Sequence, residues 1–155
     1  MQPRIDYHQA PPGAAKVMMD LQRYVDECGL EPALLELVKL RASQINGCVF
    51  CIDMHMKDAR AMGESEQRLH ALNAWHEAPF YTARERAALA WTEAVTLVSD
   101  GHVPDEVYAH VRQHFNEQEL MNLTMAVVAI NGWNRLAVSC RWLAGGYQPT
   151  RSRLT

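Results

Sequence analysis

No run of apolar residues in this sequence approaches the roughly 20 that a membrane-crossing helix needs. The N-terminus also lacks the apolar stretch of a secretory signal, which points to the cytoplasm. Charge of one sign is missing too. A formal net charge of −3 and a pI near 6.1 argue against nucleic acid or an anionic membrane as partner. Four cysteines in 155 residues are too few for a disulfide scaffold. There is no low-complexity segment, no obvious linker, and no stretch alternating with period two for long enough to be a strand. What remains is 48% apolar and 21% charged residues, enough for one globular domain spanning residues 1–155.

Helical spacing fills that space. Residues 1–13 carry three prolines and read as an extended N-terminal arm. Val17, Met18, Leu21, Tyr24 and Val25 then mark a helix from Ala14 to Cys28, ended by Gly29. Pro32 suits the first turn of a second helix to Ile45, closed by Asn46-Gly47. A third starts near Cys48 and runs to Met62, and Ser65 caps a fourth reaching Trp75. Thr82 to Glu85 forms a capping box for a fifth helix to Ser99. Pro104 opens a sixth to His114, and Asn116 to Glu119 a second capping box for a final helix reaching Leu143. The expected fold is all-α, with about seven helices. Met125 to Ile130 is apolar all round its helix, which predicts burial on every side, in a central helix or at a subunit interface.

The chemistry concentrates in Asn46-Gly47-Cys48-Val49-Phe50-Cys51-Ile52-Asp53-Met54-His55. A Cys-x-x-Cys pair at a helix N-terminus meets unpaired N–H groups and the positive end of the macrodipole, both favouring a thiolate. Mid-helix neighbours three apart hold their Cβ atoms about 5–6 Å apart. A disulfide needs roughly 3.5–4.5 Å, so Cys48 must sit at the cap or first turn for the pair to close. Helical side chains lean towards the N-terminus, which aims the His55 imidazole at Cys51. On that reading Cys51 is the activated sulfur and Cys48 the resolving one.

Competing readings stand beside it. A zinc site needs a fourth ligand, and nothing pairs Cys28 or Cys140 with the motif. Haem attachment needs a histidine directly after the second cysteine, where Ile52 stands. Two inert buried thiols remain open. A thioredoxin-like site would follow a strand, and no strand is expected. Taken alone, Glu36 reads as a solvated residue paired with Lys39. His70, His76, His102, His110 and His114 read as surface or boundary residues, the i,i+4 pair His110/His114 being a conceivable surface metal pair. Trp75, Trp91 and Trp133 read as core, and Cys28 and Cys140 as structural.

The segment from Leu35 to Cys48, continued by Cys51 and Met54-His55, resembles the carboxymuconolactone decarboxylase and alkylhydroperoxidase D-like (AhpD-like) family. Gly63-Glu64, Glu85 to Glu93 and Asn131 to Arg135 extend the resemblance over nearly the whole chain. It implies an all-α fold assembling as a trimer or hexamer, with no cofactor and no metal. It further implies a peroxidase in which one cysteine reduces a hydroperoxide and the other closes a disulfide, recycled by a thioredoxin-like or dihydrolipoamide-type reductant. The catalytic set it implies is Cys51, Cys48, His55 and Glu36, the glutamate relaying a proton through the histidine and water. Phe50 stands where the alkylhydroperoxidase D prototype has a second histidine. A dithiol electron-transfer adapter and a lyase of the decarboxylase branch are the alternative activities.

Overall fold

The computed structural model describes residues 2–5, 9 and 11–149. Parts of the predicted arm and the last residues therefore lie outside the described residues. Seven α-helices follow one another: α1 Pro12–Asp26, α2 Pro32–Ile45, α3 Val49–Ala61, α4 Glu66–Ala71, α5 Ala83–Thr96, α6 Asp105–Val111 and α7 Glu117–Cys140. Among the described residues there is no strand, and no helix is long and apolar enough to cross a membrane.

The local signals explain most boundaries. Thr82 and Asn116 cap α5 and α7 through complete capping boxes with Glu85 and Glu119. Pro12 and Pro32 occupy the first turns of α1 and α2, where their missing N–H groups cost nothing. Helix α1 thus opens two residues before the predicted Ala14, and the expected arm is shorter. Arg4 lies against the end of α7, its N–H donating to the Cys140 carbonyl at 2.9 Å.

The predicted helix to Trp75 instead passes from α4 into a 3-10 turn over Leu72–Ala74. Helices α5 and α6 stop three residues short of their predicted ends, at Thr96 and Val111. Helix α7 ends at Cys140, not Leu143, because Arg141 turns left-handed at φ 56 and the Trp142 N–H returns to the Ala137 carbonyl.

The centre of the molecule is α2. Its residues feed three clusters: Leu34, Leu35 and Val38 pack with Phe115, Leu123 and Val127. Leu37 and Leu40 pack with Leu69, Leu72 and Leu89. Ala42 meets Cys48, Cys51, Ile130 and Ala137. A helix buried this widely needs neighbours on several sides, and α3, α5 and α7 pack on α2 here. Of the two burials expected for α7, the central position within the chain goes instead to α2. Val128, inside the run from Met125 to Ile130, is 47% exposed, and Met121 one heptad earlier is 61% exposed. A second helix already fills the middle, so α7 keeps one apolar face outside.

Candidate active site

The dithiol is placed by the way α2 ends. Gly47 takes the left-handed conformation at φ 65, a region that costs glycine nothing. Its N–H donates to the Gln44 carbonyl at 3.2 Å, and the Cys48 N–H reaches back to Ser43 at 3.0 Å. These are the two bonds of a Schellman motif. Cys48 is therefore the last residue of one helix stop and also the N-cap of α3, with extended backbone at φ −86 and ψ 93. Its Sγ accepts the Cys51 N–H at 3.4 Å. Leaving helical geometry at Cys48 lets the sulfurs approach to 2.7 Å. Closure to a disulfide then needs only ~0.7 Å of further movement. Both sulfurs belong to free cysteines, and each residue is only 1% exposed.

One turn further along α3, His55 is buried and directs Nδ1 at Glu36 Oε2, 2.8 Å away. Glu36 comes from the middle of α2 and is buried, not solvated as its spacing suggested. The expected pairing with Lys39 is present: Nζ donates to Glu36 Oε1 at 2.7 Å, with both side chains inside the protein. Burial opposes the Glu36 charge, but the charge and hydrogen bond of His55, then those of Lys39, outweigh it and hold its pKa at about 2. The carboxylate thus accepts at both oxygens. One oxygen accepts from the Nδ1–H of the ring and the other from Lys39 Nζ.

The cap position favours charge on Cys48 within the resting pair. The hydrogen bond shared with Cys51 lowers the Cys48 thiol to about 7 against the cost of burial, helped by backbone N–H groups of Cys51 and Phe50 and by Asn134. The same shared bond, then burial and the Cys48 charge, push Cys51 far up. Cys48 is the N-cap, and a cap sulfur collects the unpaired N–H groups that a sulfur inside the first turn does not.

Polar residues absent from the expected catalytic set tie the site together. Asn134 of α7 is buried; its Nδ2 donates to Ser43 Oγ at 3.0 Å and its Oδ1 accepts from Asn46 Nδ2 at 2.8 Å. Asn46 also donates to Asn131 at 3.0 Å. These residues hold the α2–α3 junction against α7. Their signal in the sequence is positional: on α2 a polar stripe Glu36, Lys39, Ser43, Asn46 recurs at three- and four-residue spacing on an otherwise apolar helix.

Aromatic side chains border the dithiol. Phe50 and Trp142 meet edge to face with centroids 5.5 Å apart, and Trp133 packs against the same cluster. The other tryptophans, Trp75 and Trp91, are buried in the core as expected. Glu36, His55 and Asp58 bring ligand-type atoms within 4.8 Å of one another. Lys39 Nζ already places a positive charge on Glu36 where a cation would sit, so this donor set suits a proton better than a metal. Cys28 and Cys140 lie apart, each half-buried. His110 and His114 are ring neighbours with centroids 5.5 Å apart, on and just beyond α6.

Comparison with known proteins follows the same lines. Residues 12–94 match the model of the carboxymuconolactone decarboxylase family. An uncharacterized protein of Bacillus subtilis, YdfG, is 44% identical over 139 residues, covering 90% of this chain and 95% of that one. A solved protein of unknown function from Agrobacterium tumefaciens, with a proposed assignment as antioxidant defence protein AhpD, is 44% identical with a TM-score of 0.88. The match covers 97% of this chain and 100% of that one. The debrominase Bmp8 shares the fold at 19% identity and a TM-score of 0.79, over 87% of this chain and 73% of its own. With more than half its length matched by the family model, this chain belongs to the carboxymuconolactone decarboxylase family.

Proposed function

We propose that the protein is a thiol-dependent peroxidase of the AhpD type, reducing organic hydroperoxides through a Cys48–Cys51 dithiol/disulfide cycle. One observation carries the reading: two sulfurs 2.7 Å apart at a helix cap, one turn from a buried His55–Glu36 pair. A structural role asks for no such pair, because two packing thiols need neither an ionised carboxylate nor a cap.

The proton held between the sulfurs makes thiolate character exchangeable across the pair. Attack is assigned to Cys51, which lies one turn before His55 on the same face and, with the higher proton affinity, is the stronger nucleophile once ionised. The Cys51 thiolate attacks the terminal oxygen of the hydroperoxide. An S–O bond forms as the O–O bond breaks, and the alkoxide leaves as alcohol with a proton delivered through His55. Cys48 then attacks the sulfenic acid; the S–S bond forms and water departs. Two electrons and two protons from an external dithiol, thioredoxin-like or dihydrolipoamide-type, restore the thiols, with Cys48 the better leaving group.

The assembly proposed is a trimer or hexamer of this chain. Met121 and Val128 of α7 lie a heptad apart, and Val17 and Tyr24 of the adjacent α1 repeat that spacing; all four are exposed. Tyr24 donates to Asn122 at 2.7 Å, which places the two rows side by side. The cytoplasm, where reducing partners are present, is the proposed location.

Steady-state consumption of cumene hydroperoxide with dithiol recycling tests the assignment. Turnover in the wild type, its loss in Cys51→Ser, and a single non-recycling event in Cys48→Ser are expected. Full turnover in Cys51→Ser would overturn the mechanism. An electron-transfer adapter would instead be reduced quickly by partner proteins without consuming peroxide.

A further inference from the structure

Beyond α7 the chain turns back across α3 as a strap, residues 141–149. Lys57 Nζ donates to the carbonyls of Gly145 at 3.2 Å and Tyr147 at 3.1 Å. The Gly145 N–H donates to Asp53 Oδ2 at 3.0 Å. These bonds fix the strap along α3 and deliver the Tyr147 hydroxyl to Asp58 Oδ1, to which it donates at 2.7 Å. Asp58 is buried three residues after His55, on the same face of α3. Its carboxylate lies within 4.8 Å of the ligand-type atoms of Glu36 and His55.

We infer that Tyr147 is a positioning residue for the Glu36–His55 pair: its hydroxyl holds Asp58 as a second carboxylate facing the imidazole, so the pair is complete only when the strap is seated. This rests on reading the dithiol and His55 as one redox site.

The charged groups around His55 set the direction of the effect. Helix α2 supplies Glu36 and Lys39, α1 supplies Asp26 at 3.7 Å from Lys39, α3 supplies Asp58, and the strap supplies Tyr147. The dithiol is a further titrating neighbour among the described residues, one turn earlier on α3. Inside a protein a carboxylate keeps its charge through the donors that reach it. Held ionised, Asp58 adds to the pull of Glu36 on a proton leaving the dithiol for the ring. Without the hydroxyl, Asp58 loses a donor to its charged form, holds a proton more readily, and pulls less.

The test is iodoacetamide alkylation of the reduced full-length protein across pH, in wild type, Tyr147→Phe, Asp58→Asn and the double variant, with urea unfolding alongside. Tyr147→Phe should move the alkylation midpoint up by about half a unit to one unit, slowing alkylation about two- to fivefold near neutral pH. Asp58→Asn should move it the same way. The double variant should go no further than Asp58→Asn, because the tyrosine acts through that carboxylate.

A purely structural role would lower stability and leave the midpoint in place. A Tyr147→Phe profile superimposed on the wild type, or a double variant whose shift is the sum of the singles, would overturn the inference. If Asp58→Asn does not fold, the comparison of Tyr147→Phe with wild type decides. Absence of peroxide turnover in the wild type would overturn the peroxidase reading alone and leave these profiles standing.

Discussion

Asn134→Ala is the sharpest probe of how α7 governs the dithiol. The substitution removes two side-chain hydrogen bonds, to Ser43 at 3.0 Å and Asn46 at 2.8 Å. Neither partner is stranded: Ser43 still donates to the Lys39 carbonyl at 2.7 Å, and Asn46 still donates to Asn131 at 3.0 Å. At about 1 kcal/mol per bond, the loss of stability should be about 2 kcal/mol. The effect on chemistry is separate. Asn134 is among the donors lowering the Cys48 thiol to about 7, and removing one donor from a buried anion should raise that value by about one unit. The thiolate fraction at neutral pH then falls from about half to about a tenth. Ultraviolet thiolate absorbance against pH reads the midpoint, and urea unfolding reads the stability. An unchanged midpoint in a variant that is folded and destabilised would refute the claim that α7 tunes the dithiol.

Other outcomes follow from the same geometry. Glu36 is held near 2 instead of 4.5, so its contribution is present above the unfolded value and is lost as pH falls from about 4.5 towards 2. That amounts to about 3 kcal/mol over the window. Urea unfolding of Glu36→Gln should therefore show a flatter acid limb than the wild type, and parallel limbs would reject the reading. Gly47→Ala meets no neighbouring atom, so its cost is the left-handed backbone alone, about 1–2 kcal/mol. Calorimetry should show a Tm lowered by about 2–8 °C; an unchanged Tm would mean that the turn is not strained by a side chain. Met121→Glu and Val128→Glu should convert the assembly to monomers in light scattering, and a monomeric wild type would remove the proposed interface.

Much of the fold was readable because its signals are local. Caps at Thr82 and Asn116, prolines at helix starts and Asn46-Gly47 each act within a few residues, and they placed all seven helices. The ends of α4 to α7 were less readable. A 3-10 turn at Leu72 and a left-handed Arg141 depend on packing that no window of sequence contains. The site was half legible. Cys48, Cys51, His55 and Asp58 recur at three- and four-residue spacing and form one face of α3, as Glu36, Lys39, Ser43 and Asn46 do on α2. What spacing could not say is that these two stripes face each other inside the protein. Glu36 therefore read as solvated, although it is a buried partner of His55. Orientation aimed the imidazole at Cys51, and spacing could not add that Cys48 is the N-cap whose sulfur accepts the Cys51 N–H.

The central claim is a dithiol that reduces a hydroperoxide and closes on itself. One measurement addresses it directly: the free thiols of fully reduced protein counted after one equivalent of cumene hydroperoxide, with mass spectrometry of the peptide spanning Cys48 and Cys51. The account predicts the loss of two thiols per chain, one equivalent of alcohol, and a peptide lighter by two hydrogens. Unchanged thiols with the hydroperoxide intact would contradict it.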